Sequence, residues 1–320
     1  MAADATGDAA GVCALRHVFL LAGQSNMAGR GSLMDRSCPS LTADLDARIA
    51  VLETDGSWKS PAKHPLHRDK PEKAGVGPGL AFARAVIDFL PSTQQNIGLI
   101  PCAFGGSALA KWTAPEGKLF QAAVQQVRRC LSDGDVLSGI LWHQGESDSG
   151  SEVAAASYAD RLRAVIRSLR TELEAPDVPM ILGEIPAGFL DSARDPRFRF
   201  ARRVNEAIVD VASDVGANLA LASAFGLEHG GDRLHFSAAS ADEFGRRYAW
   251  KWLKLTGRVG TSLETLVGSR LEPPVLADML QRADAGDQLA SAALLEAGCE
   301  KDNVNLSSGE KRKAASAVLD

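Results

Sequence analysis

The sequence lacks several features that would assign it to a structural class at once. Among its 320 residues are five cysteines, an odd number without a C-x-x-C pair, which fits neither a disulfide scaffold nor a zinc site. No apolar run approaches the ~20 residues needed to cross a bilayer. Lysine and arginine number 35 against 40 aspartate and glutamate residues, so there is no basic excess for binding phosphates. We therefore predict no metal, nucleic-acid or membrane partner.

Cofactor motifs and an export signal are missing as well. The sequence contains neither G-x-G-x-x-G nor G-x-x-x-x-G-K-[ST], the loops that bind nucleotides, and no H-E-x-x-H metal motif. The start of the chain, Met1 to Gly11, is small and acidic, without the positive end and apolar centre of a signal peptide. We expect a cytoplasmic protein that works without a cofactor.

What the sequence does contain is an alternation of apolar strands and amphipathic helices. The run His17–Gly23 (HVFLLAG) has the pattern of a strand buried on both faces. Five further strand candidates are Arg48–Glu53, Asn96–Phe104, Val136–Trp142, Pro179–Ile185 and Asn218–Phe225. Apolar residues at helical spacing cover Leu80–Leu90, Leu119–Leu131, Val153–Leu173, Phe200–Val215 and Ala241–Leu255. This order predicts an α/β fold, with a parallel sheet and helices on both of its faces.

The domain limits follow from changes in composition. We predict a single catalytic domain over residues 15–256, preceded by a flexible N-terminus over residues 1–14. Within the domain, the segment Thr54–Gly79 is rich in Pro, Lys, His and Gly, which predicts a long loop over one edge of the sheet. The extension over residues 257–320 is predicted to be partly helical, with a polar end that is disordered.

Two residues near predicted strand ends form a candidate nucleophile and base. Ser25 follows the strand His17–Gly23, at the edge where parallel sheets bind ligands, although a serine in this position is more often a helix cap. His235 ends the sequence Asp-Arg-Leu-His, in which Asp232 can fold back to the imidazole through one turn. A serine needs such an oriented base to become a nucleophile. The loop follows another strand of the same sheet, and this favours a catalytic arrangement.

Two further loops at strand ends offer hydrogen-bond donors. Gly105 and Gly106 follow the strand Asn96–Phe104, and glycines there let backbone N–H groups approach a ligand closely. Gln144, after the strand Val136–Trp142, can donate through its side-chain amide. Acyl transfer needs donors of this kind, aimed at the oxyanion. Each loop alone is compatible with ordinary turn chemistry, but four polar loops at four strand ends predict one site.

These loops carry a family resemblance. Four sequence blocks resemble those of the SGNH hydrolases, namely GQSNMAGRG (23–31), FGGSALAKW (104–112), WHQGESD (142–148) and DRLHFS (232–237). They are most similar to the branch that holds sialate O-acetylesterase and the family-six carbohydrate esterases, and GVGPGLAFA (75–83) is similar to its plant members. The resemblance implies the SGNH hydrolase fold, a flavodoxin-like three-layer α/β/α sandwich with a parallel five-stranded central sheet. It also implies removal of acetyl groups from sugar hydroxyls.

Position by position, the resemblance implies catalytic roles for this chain. Ser25 is the implied nucleophile, and His235 is the general base and then the general acid. Two residues compete as the acid that orients His235. Asp232 is favoured because it lies only three residues before His235 in the sequence. Glu146 is the alternative.

The resemblance also implies an oxyanion hole and substrate contacts. The hole would consist of the Ser25 N–H, the Gly106 N–H and the Gln144 side chain. Neighbouring residues expected to contact the substrate are Gln24, Gly105 and Asn26. Together, the sequence predicts a serine esterase that removes O-acetyl groups from a carbohydrate or small glycoside through an acetyl-enzyme.

Two alternative functions stay open at this point. A lipase or thioesterase of the same superfamily would need an apolar groove for its acyl chain, and the polar segment Thr54–Gly79 argues against one. A carbohydrate-binding relative without catalysis would have lost some of the polar groups, and all of the expected ones are present.

Overall fold

The fold is described for the part of the chain before the C-terminal extension. The computed structural model describes residues 15–132, 134–186, 190, 195–214 and 217–258. The chain divides into two units after Thr256, and the fold below is that of the first. Apart from Gly257 and Arg258, the predicted N-terminus and extension lie outside the described residues, so the predicted domain limits stay predictions. None of the described helices combines the length and apolarity needed to span a membrane.

A sheet of seven strands forms the middle layer of the described residues. Its order is β3-β2-β4-β1-β5-β6-β7, and every neighbouring pair is parallel except β2 and β3. The strands are β1 (His17–Gly23), β2 (Ile49–Leu52), β3 (Trp58–Lys59), β4 (Ile97–Pro101), β5 (Val136–His143), β6 (Met180–Gly183) and β7 (Leu219–Ala222). The predicted parallel sheet is confirmed, but the implied number of five strands is wrong. All six strands predicted from the apolar runs form, and part of the predicted loop Thr54–Gly79 pairs with β2 as an antiparallel edge strand.

Eight α-helices occur within the described residues. They are α1 (Ser25–Ala28), α2 (Pro39–Thr42), α3 (Gly79–Val86), α4 (Lys118–Ser132), α5 (Glu152–Ala156), α6 (Tyr158–Glu172), α7 (Ala201–Ala212) and α8 (Ala238–Leu255). The single helix predicted over Val153–Leu173 is interrupted at Ser157. There the serine hydroxyl donates to the Val153 carbonyl at 2.9 Å, a local hydrogen bond that competes with the regular helical pattern.

Alternate side chains of β1 point to two helical layers. On one face, the Phe19 ring packs edge-on against Phe82 of α3, at 4.9 Å between centroids, and against Trp252 of α8 at 5.3 Å. On the other face, Val18 and Leu20 belong to the buried cluster that also contains apolar residues of α4, α6 and α7. A sheet covered on both faces explains why β1 reads as a continuous apolar run. The predicted three-layer sandwich is confirmed.

The order of the strands determines where a site can form. After β1 the chain builds β2 to β4 on one side of it, and it then crosses to the other side for β5 to β7. In such a sheet, ligands bind beyond the carboxyl ends of the strands, where the order changes direction. The loops that follow β1, β4, β5 and β7 are therefore the ones that can meet.

Helix α8 lies close to the start of α3 at one glycine. A Cβ atom added to Gly245 would lie 2.2 Å from the Pro78 carbonyl oxygen and 2.8 Å from the Ala81 Cβ. Distances this short require the backbone of one helix to move. Close packing at Gly245 thus holds α8 against α3.

We expect Gly245→Ala to destabilise the domain. Helix propensity alone would favour alanine by about 1 kcal/mol, but forcing a methyl group into a packed contact typically costs about 1–3 kcal/mol. Denaturant unfolding should show a net loss. Gly230→Ala is the matched control, because its added Cβ would meet its nearest neighbour at an ordinary 3.6 Å. A stabilised Gly245→Ala variant would contradict the close contact between the helices.

Candidate active site

Ser25 reaches the sheet edge through a turn that only glycine can make. Strand β1 ends at Gly23, whose φ is +129°. A Cβ atom there would lie 1.9 Å from the His143 carbonyl oxygen at the end of β5. The next residue, Gln24, donates its N–H to that same oxygen at 2.8 Å. Ser25 therefore begins α1 directly beside the end of β5.

The structure brings Ser25, His235 and Asp232 together. His235 Nε2 lies 3.0 Å from Ser25 Oγ, and His235 Nδ1 lies 2.6 Å from Asp232 Oδ2. The other oxygen of Asp232 accepts the backbone N–H groups of Leu234 and His235. Burial opposes ionisation, but the hydrogen bonds from His235 and Leu234 hold the pKa of Asp232 below its ordinary value. An ionised carboxylate can thus fix the imidazole that faces the serine hydroxyl.

Asn26 connects this loop to the loop after β5. Its amide nitrogen donates to Glu146 Oε1 at 2.6 Å and to the Leu234 carbonyl at 3.2 Å, and its oxygen accepts the Phe236 N–H at 3.1 Å. Every polar atom of the side chain is therefore engaged within the protein. Asn26 is thus a buried link behind the histidine loop, and its expected contact with the substrate stays a prediction.

Glu146 is not paired with His235. Its carboxylate instead contacts Asn26 and His143, with His143 Nε2 3.1 Å from Glu146 Oε1. Burial alone would raise the pKa of Glu146, but His143 and the Asn26 amide hold that pKa below its ordinary value. Of the two acids that the sequence leaves open, the structure brings Asp232 to the imidazole.

The glycine turn after β4 lies at the cleft, and the N–H of one of its glycines is bonded within the protein. Gly106 adopts a left-handed φ of +76° and lines the cleft beside Ser25. The Gly105 N–H donates to Asp69 Oδ2 at 2.8 Å, and the same carboxylate oxygen lies 2.6 Å from Arg30 Nη2. Gly105 lines the cleft, but its N–H is already bonded to Asp69, and its expected contact with the substrate stays a prediction. Asp69 and Arg30 form a buried ion pair that anchors the turn.

Sequence reasoning missed this ion pair. Asp69 lies in the segment Thr54–Gly79, where no motif distinguishes it. Arg30 belongs to the first sequence block, but nothing in the sequence indicates its partner. Burial raises the pKa of Asp69, but Arg30 and the Gly105 N–H outweigh this effect and hold that pKa below its ordinary value. Asp69 connects Arg30 to the glycine turn after β4, and this connection is recognisable only from contacts in the folded structure.

Gln144 lies below the cleft and does not line it. Its side chain is fully buried, and its amide nitrogen donates to Asp148 Oδ2 at 2.7 Å, to the Ser107 carbonyl at 3.1 Å and to Gln24 Oε1 at 3.1 Å. Its amide oxygen accepts the Tyr158 hydroxyl at 2.8 Å. The implied role of Gln144 as a direct oxyanion donor does not fit this geometry, because its donors are already used.

A cleft of about 420 Å³ opens over Ser25 and His235. Its rim is mainly cationic, and the charged residues among its lining are Arg30, Lys70, Lys73, Glu146, Arg197 and His235 where protonated. No cluster of three or more metal-ligating side chains occurs within the described residues. The cleft offers a serine hydroxyl beside an oriented imidazole, with positive charge at its rim.

Comparisons with known proteins agree with these features. The sequence model of a family described as "Carbohydrate esterase, sialic acid-specific acetylesterase" matches residues 15–254. The chain is 31% identical to an Arabidopsis thaliana protein described as "Probable carbohydrate esterase", over 250 residues that cover 74% of this chain and 90% of that protein. An X-ray structure of an Arabidopsis thaliana protein matches with a TM-score of 0.65 at 30% identity, over 75% of this chain and 98% of that one. The fold is also similar to that of a carbohydrate acetylesterase from Xanthomonas citri, with a TM-score of 0.56 at 19% identity, over 75% of this chain and 56% of that one.

We predict that Asp232→Asn slows the reaction of Ser25 with a fluorophosphonate by about 10²–10⁴-fold, the usual contribution of general-base assistance. The amide cannot hold the imidazole in the orientation that accepts the serine proton. Glu146→Gln should slow the reaction less, since Glu146 does not contact His235. Asp88→Asn, which neutralises an exposed carboxylate paired with Arg48 outside the cleft, serves as the control. If Glu146→Gln abolished labelling and Asp232→Asn did not, the roles of the two acids would be reversed.

Proposed function

We propose that this chain, which belongs to the sialic acid-specific acetylesterase family of carbohydrate esterases and is a carboxylic ester hydrolase, removes O-acetyl groups from a carbohydrate through an acetyl-enzyme on Ser25. The observation that carries the serine mechanism is the chain of contacts from Ser25 Oγ to His235 Nε2, at 3.0 Å, and from His235 Nδ1 to Asp232 Oδ2, at 2.6 Å. An oriented base is what makes a serine hydroxyl nucleophilic.

The first half of the reaction forms the acetyl-enzyme. Ser25 Oγ attacks the acetyl carbonyl carbon while His235 Nε2 accepts the hydroxyl proton, and the carbonyl electron pair moves to oxygen. Backbone N–H groups of Ser25 and Gly106 stabilise that oxyanion. When the intermediate collapses, the bond to the sugar oxygen breaks, and His235 returns its proton to the leaving sugar hydroxyl.

The second half repeats these roles with water. His235 takes a proton from a water molecule that attacks the acetyl carbon, and a second oxyanion forms at the same donors. Collapse then releases acetate and returns the proton to Ser25 Oγ. Asp232 stays ionised throughout and stabilises the imidazolium, in keeping with its lowered pKa.

The lining of the cleft favours a sugar ester over a long acyl chain. Only Phe198 and Leu234 among the lining residues are large and apolar, which is little for a groove that would bind a fatty acyl group. Most of the lining residues are polar or charged by residue type, which suits sugar hydroxyls, and the carbon atoms that they expose suit the apolar faces of a sugar ring. This supports the carbohydrate esterase over the lipase or thioesterase alternative.

The rim also favours an acidic sugar. Arg30 is paired with Asp69, and Arg197 is paired with Asp195. The lysines of the rim are therefore the cations that remain for a substrate. One of them, Lys70, lies over the Phe104 ring. Lys73 is exposed and has no ion-pair partner within the described residues. We propose that these two lysines attract a sugar carboxylate, in agreement with the family description of a sialic acid-specific acetylesterase.

Ser25→Ala should abolish hydrolysis of an aryl acetate, with a loss on the order of 10⁶ in kcat, as when a serine nucleophile is removed from other enzymes. Folding should be retained, because within the described residues the Ser25 hydroxyl has no hydrogen-bond partner besides His235. Ser213→Ala, at the exposed end of α7, is the control. Wild-type turnover by Ser25→Ala would exclude the serine mechanism, and absence of turnover by the wild-type protein on every acetyl ester would favour the non-catalytic binding alternative.

Lys73→Gln should lower kcat/KM for O-acetylated sialic acid by about two- to tenfold, the effect of one exposed charge worth about 0.4–1.4 kcal/mol. Hydrolysis of a neutral aryl acetate should stay unchanged, since it has no carboxylate. Lys118→Gln, at the start of α4 and outside the cleft, is the matched control. Equal losses on both substrates, or no loss on either, would argue against recognition of an acidic sugar.

A further inference from the structure

A second cavity lies at the same edge of the sheet as the cleft over Ser25. It has a volume of about 520 Å³ and is lined by residues of the β2–β3 hairpin and by Arg68. Strands β2, β4 and β1 are parallel neighbours in that order, so their carboxyl ends share one edge. Glu53 of the hairpin follows β2, and Ser25 follows β1. Because neighbouring strands are about 4.8 Å apart, the ends of β2 and β1 are separated by about 10 Å.

One short segment connects the two cavities. Arg68 lines the second cavity, and Lys70 lines the cleft. A stretch from residue 68 to residue 70 spans at most about 7 Å between its Cα atoms. The residue between them, Asp69, is held by Arg30 and by the Gly105 N–H, which fixes the segment in place. The two cavities are therefore close enough for one elongated ligand to occupy both.

An exposed aromatic ring lies between the ends of β1 and β2. Phe104 follows β4, the strand that separates β1 from β2. Its side chain is 42% exposed, and Lys70 Nζ lies 5.8 Å from the centroid of its ring. The C–H groups of a sugar ring can pack on an aromatic ring, while the lysine can pair with a sugar carboxylate. The surface between the cavities thus suits an acidic sugar unit.

The lining of the second cavity suits sugar hydroxyls. Glu53 Oε1 lies 3.5 Å from Arg68 Nη2 and 3.9 Å from Lys59 Nζ, distances at which these groups can still take another partner. A hydroxyl group both donates and accepts hydrogen bonds. A carboxylate that only accepts and two cations that only donate are therefore complementary to it. Trp58, which is partly buried, adds an aromatic surface to the same cavity.

We propose that the cavity at the β2–β3 hairpin is a distal subsite for an oligosaccharide, and that the substrate is an acidic sugar chain. The acetylated unit lies over Ser25, the next unit lies on Phe104 beside Lys70, and a third unit occupies the second cavity. This inference rests on the proposed function for the position of the acetylated unit. Binding of a sugar chain in the second cavity, however, does not require catalysis.

A series of substrates with increasing chain length tests the proposal. Partially O-acetylated oligogalacturonates of one to four units are suitable probes, because each unit carries a carboxylate. We expect kcat/KM for acetate release to rise about two- to tenfold with the second unit and again with the third, the usual effect of one ring contact or hydrogen bond. The fourth unit should add nothing. Equal kcat/KM values along the whole series would overturn the proposal.

Two substitutions assign the gains to their subsites. Phe104→Ala should remove the gain from the second unit, and Arg68→Gln should remove the gain from the third. Phe89→Ala, which changes a phenylalanine of similar exposure, and Arg128→Gln, which changes an exposed arginine that is also paired with a glutamate, are the matched controls. Neither control residue lines a cavity described above. A full gain from the third unit in Arg68→Gln would overturn the distal subsite.

Binding measured without turnover separates this inference from the proposed function. In the Ser25→Ala protein, calorimetry should show tighter binding of unacetylated trigalacturonate than of galacturonate, and adding Arg68→Gln should remove about two- to tenfold of that difference. If wild-type protein hydrolyses no acetyl ester but this binding is present, the proposed function fails and the subsite stands. If Ser25-dependent hydrolysis is present but binding does not depend on chain length or on Arg68, the subsite is overturned.

Discussion

The close approach of Gly23 to the His143 carbonyl is the constraint on which the rest of the site depends. Any side chain at residue 23 would collide with that oxygen, at 1.9 Å from an added Cβ. With glycine there, the ends of β1 and β5 come together and Gln24 can bind the same carbonyl. Ser25, the proposed nucleophile, then begins its short helix beside the loop after β5, and the loop after β7 brings His235 to it. Three strand ends thus contribute to one cleft because two backbones touch.

Two polar networks with different exposure meet at this point. The first runs from Ser25 through His235 to Asp232, and it is partly open to solvent, as a proton-transfer path to a substrate must be. The second runs from Gln24 through Gln144 to Asp148, and it is buried. In a buried network each donor and acceptor must be satisfied, since an unpaired polar group is costly in an apolar interior. The second network therefore has one arrangement of donors and acceptors.

Much of the fold and of the candidate triad is predictable from the sequence, and the reasons are local. Buried parallel strands are recognisable as continuous apolar runs, and Asp232 lies three residues before His235, within reach of one turn. The orientation of Gln144 is not predictable in this way. It depends on Asp148, on the hydroxyl of Tyr158 in a helix later in the chain and on a carbonyl of the turn after β4. Nothing in the sequence relates the last two to Gln144. Strand β3 and the Asp69–Arg30 pair were missed because a polar, proline-rich segment has no periodicity that indicates its contacts.

The central claim is that an acetyl group resides on Ser25 during turnover. Acid quenching of the enzyme during steady-state hydrolysis of an aryl acetate, followed by peptide mass spectrometry, tests this most directly. The account predicts the added mass of one acetyl group on the peptide that carries Ser25, and its absence from the Ser25→Ala variant. Two results would contradict the account. One is acetylation at a different residue that rises and decays at the rate of turnover. The other is turnover without any acetylated intermediate in a variant selected for slow deacylation.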